Sequence, residues 1–212
     1  MTRSNLEGQI MGRKGRETRA RLLEAALQML DTTPLRELRS ADLARKADIS
    51  PANFYLYFEN MEAVALALSE DVAERALPLI EQLNSSWSWS SDGDDHVEEF
   101  VRAYFGFWDA HRSILRIRNL AAEEGNYEFQ KARSMISVPL HQALAAKIDS
   151  NLAAVDDTTH PQSLALATVA LAGLERSAAT YLSFPRKFNV TRERLIEACV
   201  FSLKTLSLSP RF

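Results

Sequence analysis

The sequence predicts an all-α protein, and three observations carry that expectation. Apolar residues recur at intervals of three and four from residue 16 nearly to the C-terminus, the spacing of a helix face. No stretch has strand-like alternation of any strength, and the interruptions fall at Ser, Asp, Gly, Asn and Pro. A chain of 212 residues that is 46% hydrophobic has apolar surface for a substantial core, which sets aside disordered and fibrous classes. About nine helices are expected, with no internal repeat. They divide into an N-terminal three-helix head over residues 1–59 and a larger helical body over 60–212.

The first helix is expected over residues 16–30, with Leu22, Leu23, Ala26, Leu27 and Leu30 inward. Leu35 and Leu38 lead into LRSADLARKADISPANFYLYF, residues 38–58, where two short helical patterns are hinged at 48–50. Ser50 and Pro51 open the second as N-cap and first helical residue. Leu43, Ala44, Ala47, Ile49, Phe54 and Phe58 fall on inner faces, whereas Ala52, Asn53, Tyr55 and Tyr57 project differently. Asp48 stands where such a turn usually carries Gly, and Asp tolerates the left-handed conformation better than most residues. This is a helix-turn-helix, whose second helix reaches base edges in the major groove. An amide such as that of Asn53 pairs bidentately with adenine, and the tyrosine hydroxyls reach phosphates.

Residues 60–83 read as a longer helix, with Val64, Leu68, Val72, Leu79 and Ile80 at helical spacing and Pro78 as its kink. The low-complexity stretch NSSWSWSSDGDD, residues 84–95, reads as a loop, with Trp87 and Trp89 expected to pack on a neighbouring helical surface. Helices over 97–111, 113–124, 127–150 and 161–182 follow. Gly125 closes the second of these, Asn126 caps the third, and Thr159 with Gln162 has capping-box spacing before the fourth. Thr191 announces the last helix, over 192–207.

The string DLARKADISPANFYLYFENMEAV resembles the signature of TetR-type transcriptional repressors, in which a turn ending in a small polar residue leads into a short recognition helix ending in an aromatic pair. The resemblance is close over residues 16–70; beyond them it extends to size and helical pattern. Members commonly carry a Lys after the aromatic pair, where it meets a phosphate, and here that position is Met61. Its loss is expected to weaken affinity and flatten the salt dependence without erasing sequence reading.

Arg3, Arg13, Lys14, Arg16, Arg19 and Arg21 face only Glu7 and Glu17, so the N-terminal arm is basic. Residues 1–60 carry ten basic and eight acidic groups, and 61–212 carry fifteen and twenty; plus two and minus five give the net charge of −3. The arm is read as approaching the DNA backbone or minor groove, and the acidic remainder as staying off nucleic acid. The DNA-facing set is therefore Arg13, Lys14, Arg16, Ser40, Ser50, Pro51, Ala52, Asn53, Tyr55 and Tyr57.

In the body, Phe100, Tyr104, Phe107, Trp108 and His111 recur on one helix face, a pattern shared by core and by ligand sites. Polar groups lie among the apolar ones, so Tyr104, Trp108, His111, Leu115, Arg118, Asn119, Phe129, Met135 and Tyr181 form the ligand-binding set. The resemblance implies a small hydrophobic effector. Leu164, Ala167, Leu171, Leu174, Ala178, Leu195, Cys199 and Leu203 form apolar stripes suited to an intermolecular four-helix bundle, with the chain's own core as the alternative.

Enzymatic constellations are weak. Asp109 and His111 are an isolated pair, Glu123 and Glu124 point in different directions, and the four His are scattered; seven Gly form no phosphate loop. No catalytic residue, metal site or cofactor is expected. One cysteine, Cys199, excludes an intrachain disulfide and reads as a buried structural thiol. No apolar run approaches the roughly 20 residues that span a bilayer, and the basic N-terminus lacks an apolar signal core, so a cytoplasmic location without membrane contact is expected. The expected function is a ligand-responsive repressor that binds a palindromic double-stranded operator as a homodimer, because one recognition helix reads half a site. The alternative is a helical ligand-binding or adaptor protein that has lost operator binding.

Overall fold

The computed structural model describes residues 12–85, 94–154 and 162–207, and among these the regular structure is entirely helical. The α-helices are α1 (Arg13–Leu30), α2 (Ser40–Lys46), α3 (Pro51–Phe54), α4 (Met61–Arg75), α5 (Leu77–Asn84), α6 (Asp94–Glu123), α7 (Tyr127–Ala154), α8 (Ser163–Thr180) and α9 (Arg192–Ser207). Residues 1–11, including Arg3, and the tryptophans Trp87 and Trp89 lie outside the described residues, as does Thr159 of the expected capping box.

Several boundaries follow from local chemistry. The Ser50 hydroxyl accepts the Asn53 N–H at 3.3 Å and Pro51 occupies the first turn, so α3 starts where the sequence places it. Asp48 has φ 56°, the left-handed turn conformation. Asn60 Oδ1 accepts the Ala63 N–H at 2.8 Å and opens α4. Asn126 Oδ1 accepts from the N–H groups of Glu128 and Phe129, and Gly125, at φ 93°, ends α6. Thr191 Oγ1 accepts the Arg194 N–H at 3.3 Å at the start of α9.

One expected element is divided differently. The single helix over 60–83 is broken at Ala76 into α4 and α5, and Pro78 sits in the first turn of α5, where its missing N–H costs no hydrogen bond. The helices expected over 97–111 and 113–124 are both present as the two parts of α6, separated by non-helical backbone at His111 (φ −126°, ψ 16°).

The chain divides into two compact units. The first comprises the described residues through Glu74 together with Ser113–Arg133. Its interior contains Leu22, Ala26, Leu43, Ala44, Phe54, Phe58, Val64 and Leu68, and a cluster in which Ala65 meets Ala122 and Phe129, with Leu35, Leu66, Ile117 and Ala121 against it. The unit that holds the helix-turn-helix thus extends past residue 59. The second unit comprises Arg75–Arg112 and the described residues from Ser134 onward. Leu79, Leu83, Phe100, Val101, Phe105, Trp108, Leu144, Ile148, Leu171, Leu174, Ile196 and Leu203 are buried in it, and α8 packs on α9.

Candidate nucleic-acid interface and helical body

The recognition element is one four-residue helix held by aromatic anchors. Phe54 and Phe58 are buried with ring centroids 6.0 Å apart, and the Arg19 guanidinium of α1 lies 5.0 Å from the Phe58 ring centre. Beyond Phe54 the chain turns, with Tyr57 N–H and Phe58 N–H both donating to Phe54 O. The Tyr55 ring meets the Phe54 ring edge-on at 5.2 Å, which fixes its direction while leaving it 54% exposed. Ser50, Pro51, Ala52 and Asn53 are exposed beside it, and Tyr57 is half-buried. Ser40, the first residue of α2, is half-buried, and its hydroxyl lies 3.0 Å from the Tyr55 hydroxyl. Arg13, Lys14 and Arg16 are exposed on the first turn of α1; Arg13 forms a loose pair with Glu17 at 3.9 Å. Met61 is half-buried at the start of α4.

The ligand-binding set is divided between the units. Leu115, Arg118, Asn119 and Phe129 belong to the first. Phe129 is buried there in a cluster with Ala65 and Ala122. Arg118 is 4% exposed and donates from Nε and Nη2 to Asn119 Oδ1 at 3.1 and 2.9 Å, consistent with the need of a buried guanidinium for acceptors. Tyr104, Trp108, His111, Met135 and Tyr181 belong to the second unit. Tyr104 and Trp108 are buried, whereas Met135 is 48% exposed on α7.

Sequence reasoning passed over the most organised polar cluster of the second unit. Asp109 is the centre of a clasp: its Oδ1 accepts from Arg112 Nη2 at 2.7 Å and Tyr181 OH at 2.9 Å, and its Oδ2 accepts from Arg192 Nε at 2.9 Å. Arg112 also donates to Ala179 O at 2.8 Å near the end of α8, and Arg102 bridges to Glu193 of α9 at 2.7 Å. The clasp fastens α6 to the segment after α8 and to the start of α9. Asp109 is therefore not an isolated residue. The Asp109–Arg112 spacing of three was visible in the sequence, but Tyr181 and Arg192 lie more than 70 positions away.

These groups set a pH dependence. Burial works to raise the Asp109 carboxyl, but the hydrogen bonds from Arg112, Tyr181 and Arg192 outweigh it and hold the carboxyl below its ordinary value. Burial, with the Arg75 charge adding, pushes the His111 imidazole down. Both groups take up a proton more readily in the unfolded chain, so their contribution is complete above the unfolded values and is lost as pH falls towards the folded ones. Stability should decline below about pH 6.5 through His111 and again below about pH 4 through Asp109. Thermal melts of the wild type and His111→Gln from pH 7.5 to 5 test the first step. An identical pH slope in the two proteins rules His111 out.

The dimer set is corrected in orientation. Ala167, Leu171, Leu174, Ala178 and Leu203 are buried within the chain's own second unit, and Leu195 and Cys199 are half-buried. Burial pushes the Cys199 thiol up against an opposing hydrogen bond with Ser177. Of the eight, Leu164 alone is exposed. The outward face of α8 is Ala165, Thr168, Val169, Ala172, Gly173 and Arg176, and that of α9 is Arg194, Glu197, Ala198, Phe201, Ser202 and Thr205. Both follow the three- and four-residue spacing, displaced around each helix from buried Leu171, Leu174 and Leu203, with Val169 and Phe201 as their exposed apolar members.

The family model for bacterial regulatory proteins of the tetR family matches residues 22–68, and the model for the tetracyclin repressor-like C-terminal domain matches residues 80–203, more than half of the chain. The chain belongs to the TetR family. The N-terminal match takes in the helix-turn-helix formed by α2 and α3. Among curated relatives it is 30% identical over 108 residues to the uncharacterized HTH-type transcriptional regulator YdgC of Bacillus subtilis, covering 50% of this chain and 55% of that one. It is 29% identical over 102 residues to the HTH-type transcriptional regulator EthR of Mycolicibacterium smegmatis, covering 48% and 46%. The chain spans about half the length of the curated relatives it matches. Solved structures of the same fold include FadR of Bacillus subtilis in complex with stearoyl-CoA (TM-score 0.64, 12% identity, 89% of this chain and 97% of that one). MbdR of Azoarcus sp. CIB is similar at TM-score 0.66 and 16% identity, covering 92% and 99%. Among the described residues no helix is long and apolar enough to cross a membrane, and no cluster of His, Cys, Asp and Glu is arranged to hold a metal ion.

Proposed function

We propose that this TetR-family regulator is a repressor that binds a palindromic operator as a homodimer in the cytoplasm and is released by a small hydrophobic effector. Residues 1–59 supply DNA reading, and 60–212 supply effector binding and dimerisation. The observation that carries the proposal is the recognition element: Asn53 and Tyr55 stand exposed on a turn anchored by buried Phe54 and Phe58, with exposed Arg13, Lys14 and Arg16 in the same unit. The α8 and α9 outward faces support a second copy as partner. Gly173 has nothing within 4 Å of an added Cβ, so its own chain supplies no packing reason for a helical glycine, which costs about 0.5–1 kcal/mol relative to alanine. Close approach of a partner helix is such a reason, and Phe201, 71% exposed on α9, is an apolar anchor for the same partner. An apolar effector is supported by the aromatic residues of α6 and by the stearoyl-CoA held by the similarly folded FadR.

Asn53→Ala tests the reading. Its amide is assigned to a base edge, so the variant should lose roughly 1–3 kcal/mol of preference at one base position while binding scrambled duplex as before. Titrations of both proteins on a duplex selected from a random library and on its scramble decide it, and unchanged discrimination removes the assignment. Met61→Lys restores a charge at the start of α4. It should tighten binding and steepen the slope of log affinity against log salt by about 0.9, one phosphate's worth. An unchanged slope displaces that helix start from the DNA backbone.

A further inference from the structure

Ser40 and Tyr55 are fifteen residues apart, on the first turn of α2 and just after α3, and their hydroxyl oxygens lie 3.0 Å from each other on the exposed side of the head. We propose that these two hydroxyls act as one composite phosphate donor, so that Ser40 and Tyr55 recognise a single DNA phosphate jointly rather than two phosphates independently. The inference rests on the DNA-binding reading above and adds how the contact is made.

Each hydroxyl carries one hydrogen and two acceptor lone pairs. Within the pair one hydrogen is used between the oxygens, whichever residue donates it, and the other remains for an outside acceptor. A hydroxyl that is already accepting is a polarised and stronger donor. The pair therefore offers one strengthened O–H. Its position is not left to side-chain freedom: the edge-on contact at 5.2 Å with fully buried Phe54 sets the Tyr55 ring, and the ring sets its hydroxyl relative to α2. An anionic phosphate oxygen is the acceptor that rewards such a donor most, through a charge-assisted bond.

The test is a double-mutant cycle with Ser40→Ala, Tyr55→Phe and the double variant, titrated on a mixed-sequence duplex at several salt concentrations. Removing either hydroxyl dismantles the unit, so each single variant should lose roughly tenfold in affinity. The double variant should lose little more than the worse single, where independent contacts would multiply to roughly a hundredfold. The salt slope should stay at the wild-type value in all three, because a neutral donor releases no counterion. Ser40→Thr, which keeps the hydroxyl, should recover most of the affinity that Ser40→Ala loses. Thermal melts establish that each variant is folded, as expected for exposed hydroxyl deletions. Multiplying losses, or single variants within twofold of the wild type, overturn the composite donor while leaving DNA binding intact. A wild type with no salt-dependent binding to duplex overturns the underlying reading, and the donor with it.

Discussion

Phe54→Ala is expected to abolish DNA binding and to destabilise the first unit by about 3–5 kcal/mol, the cost of truncating a fully buried phenylalanine. Phe54 is fully buried, it carries the Tyr55 ring edge-on, and it packs at 6.0 Å against Phe58. Helix α3 has four residues, far fewer than an isolated helix needs, so its shape comes from this anchor and from the Ser50 cap. A loss of that size is a large part of the 5–15 kcal/mol that holds a typical domain together. Urea unfolding followed by circular dichroism, with duplex titration in parallel, measures both effects. A variant that unfolds at the wild-type midpoint, or binds duplex within threefold of the wild type, would mean that the recognition turn is held by something other than Phe54.

Trp108→Ala should cost the second unit a similar 3–5 kcal/mol, because the indole is 2% exposed and its removal leaves a cavity the surrounding residues fill only partly. For a chain of this length the melting temperature should fall by roughly 6–20 °C. Trp108→Phe keeps a ring at the site and should recover most of that loss, and operator affinity should stay within about threefold of the wild type. The comparison separates the two roles of an aromatic residue on α6. If Trp108→Ala melts with the wild type, the indole is not part of the core, and the site has room that a ligand would use.

The first unit was legible because its information is local. Ser50–Pro51, Asp48, Asn126 and Gly125 each act within a few residues, through a cap, a left-handed turn or a helix stop, and each is found doing so. The inward assignments of Leu22, Ala26, Leu43, Ala44 and Phe54 rest on a helix period that does not depend on which neighbour covers them. The recognition turn and the family signature share those same residues.

The body was less legible because its questions are non-local. Periodicity shows that α8 and α9 each have an apolar stripe, but not whether the stripe meets the same chain or another. The core takes Leu171, Leu174 and Leu203, and leaves outside a mixed face of small, polar and charged residues in which Val169 and Phe201 are the exposed apolar members. The aromatic pattern likewise does not reveal that Phe129 clusters with Ala65 and Ala122, more than 60 positions and seven positions away.

By itself, the sequence determined the helical class, the helix-turn-helix with its caps and left-handed turn, and the exposure of Asn53 and Tyr55 beside buried Phe54 and Phe58, since each follows from spacings of one to four residues. Tertiary structure alone decided the Asp109 clasp, the pairing of the Ser40 and Tyr55 hydroxyls, the break at Ala76, and which side of α8 and α9 remains open. The physical reason is that a charge or a hydroxyl carries no periodic signal of its partner. Arg192 and Asp109 are 83 positions apart, and only the packing of α6, α8 and α9 makes them neighbours.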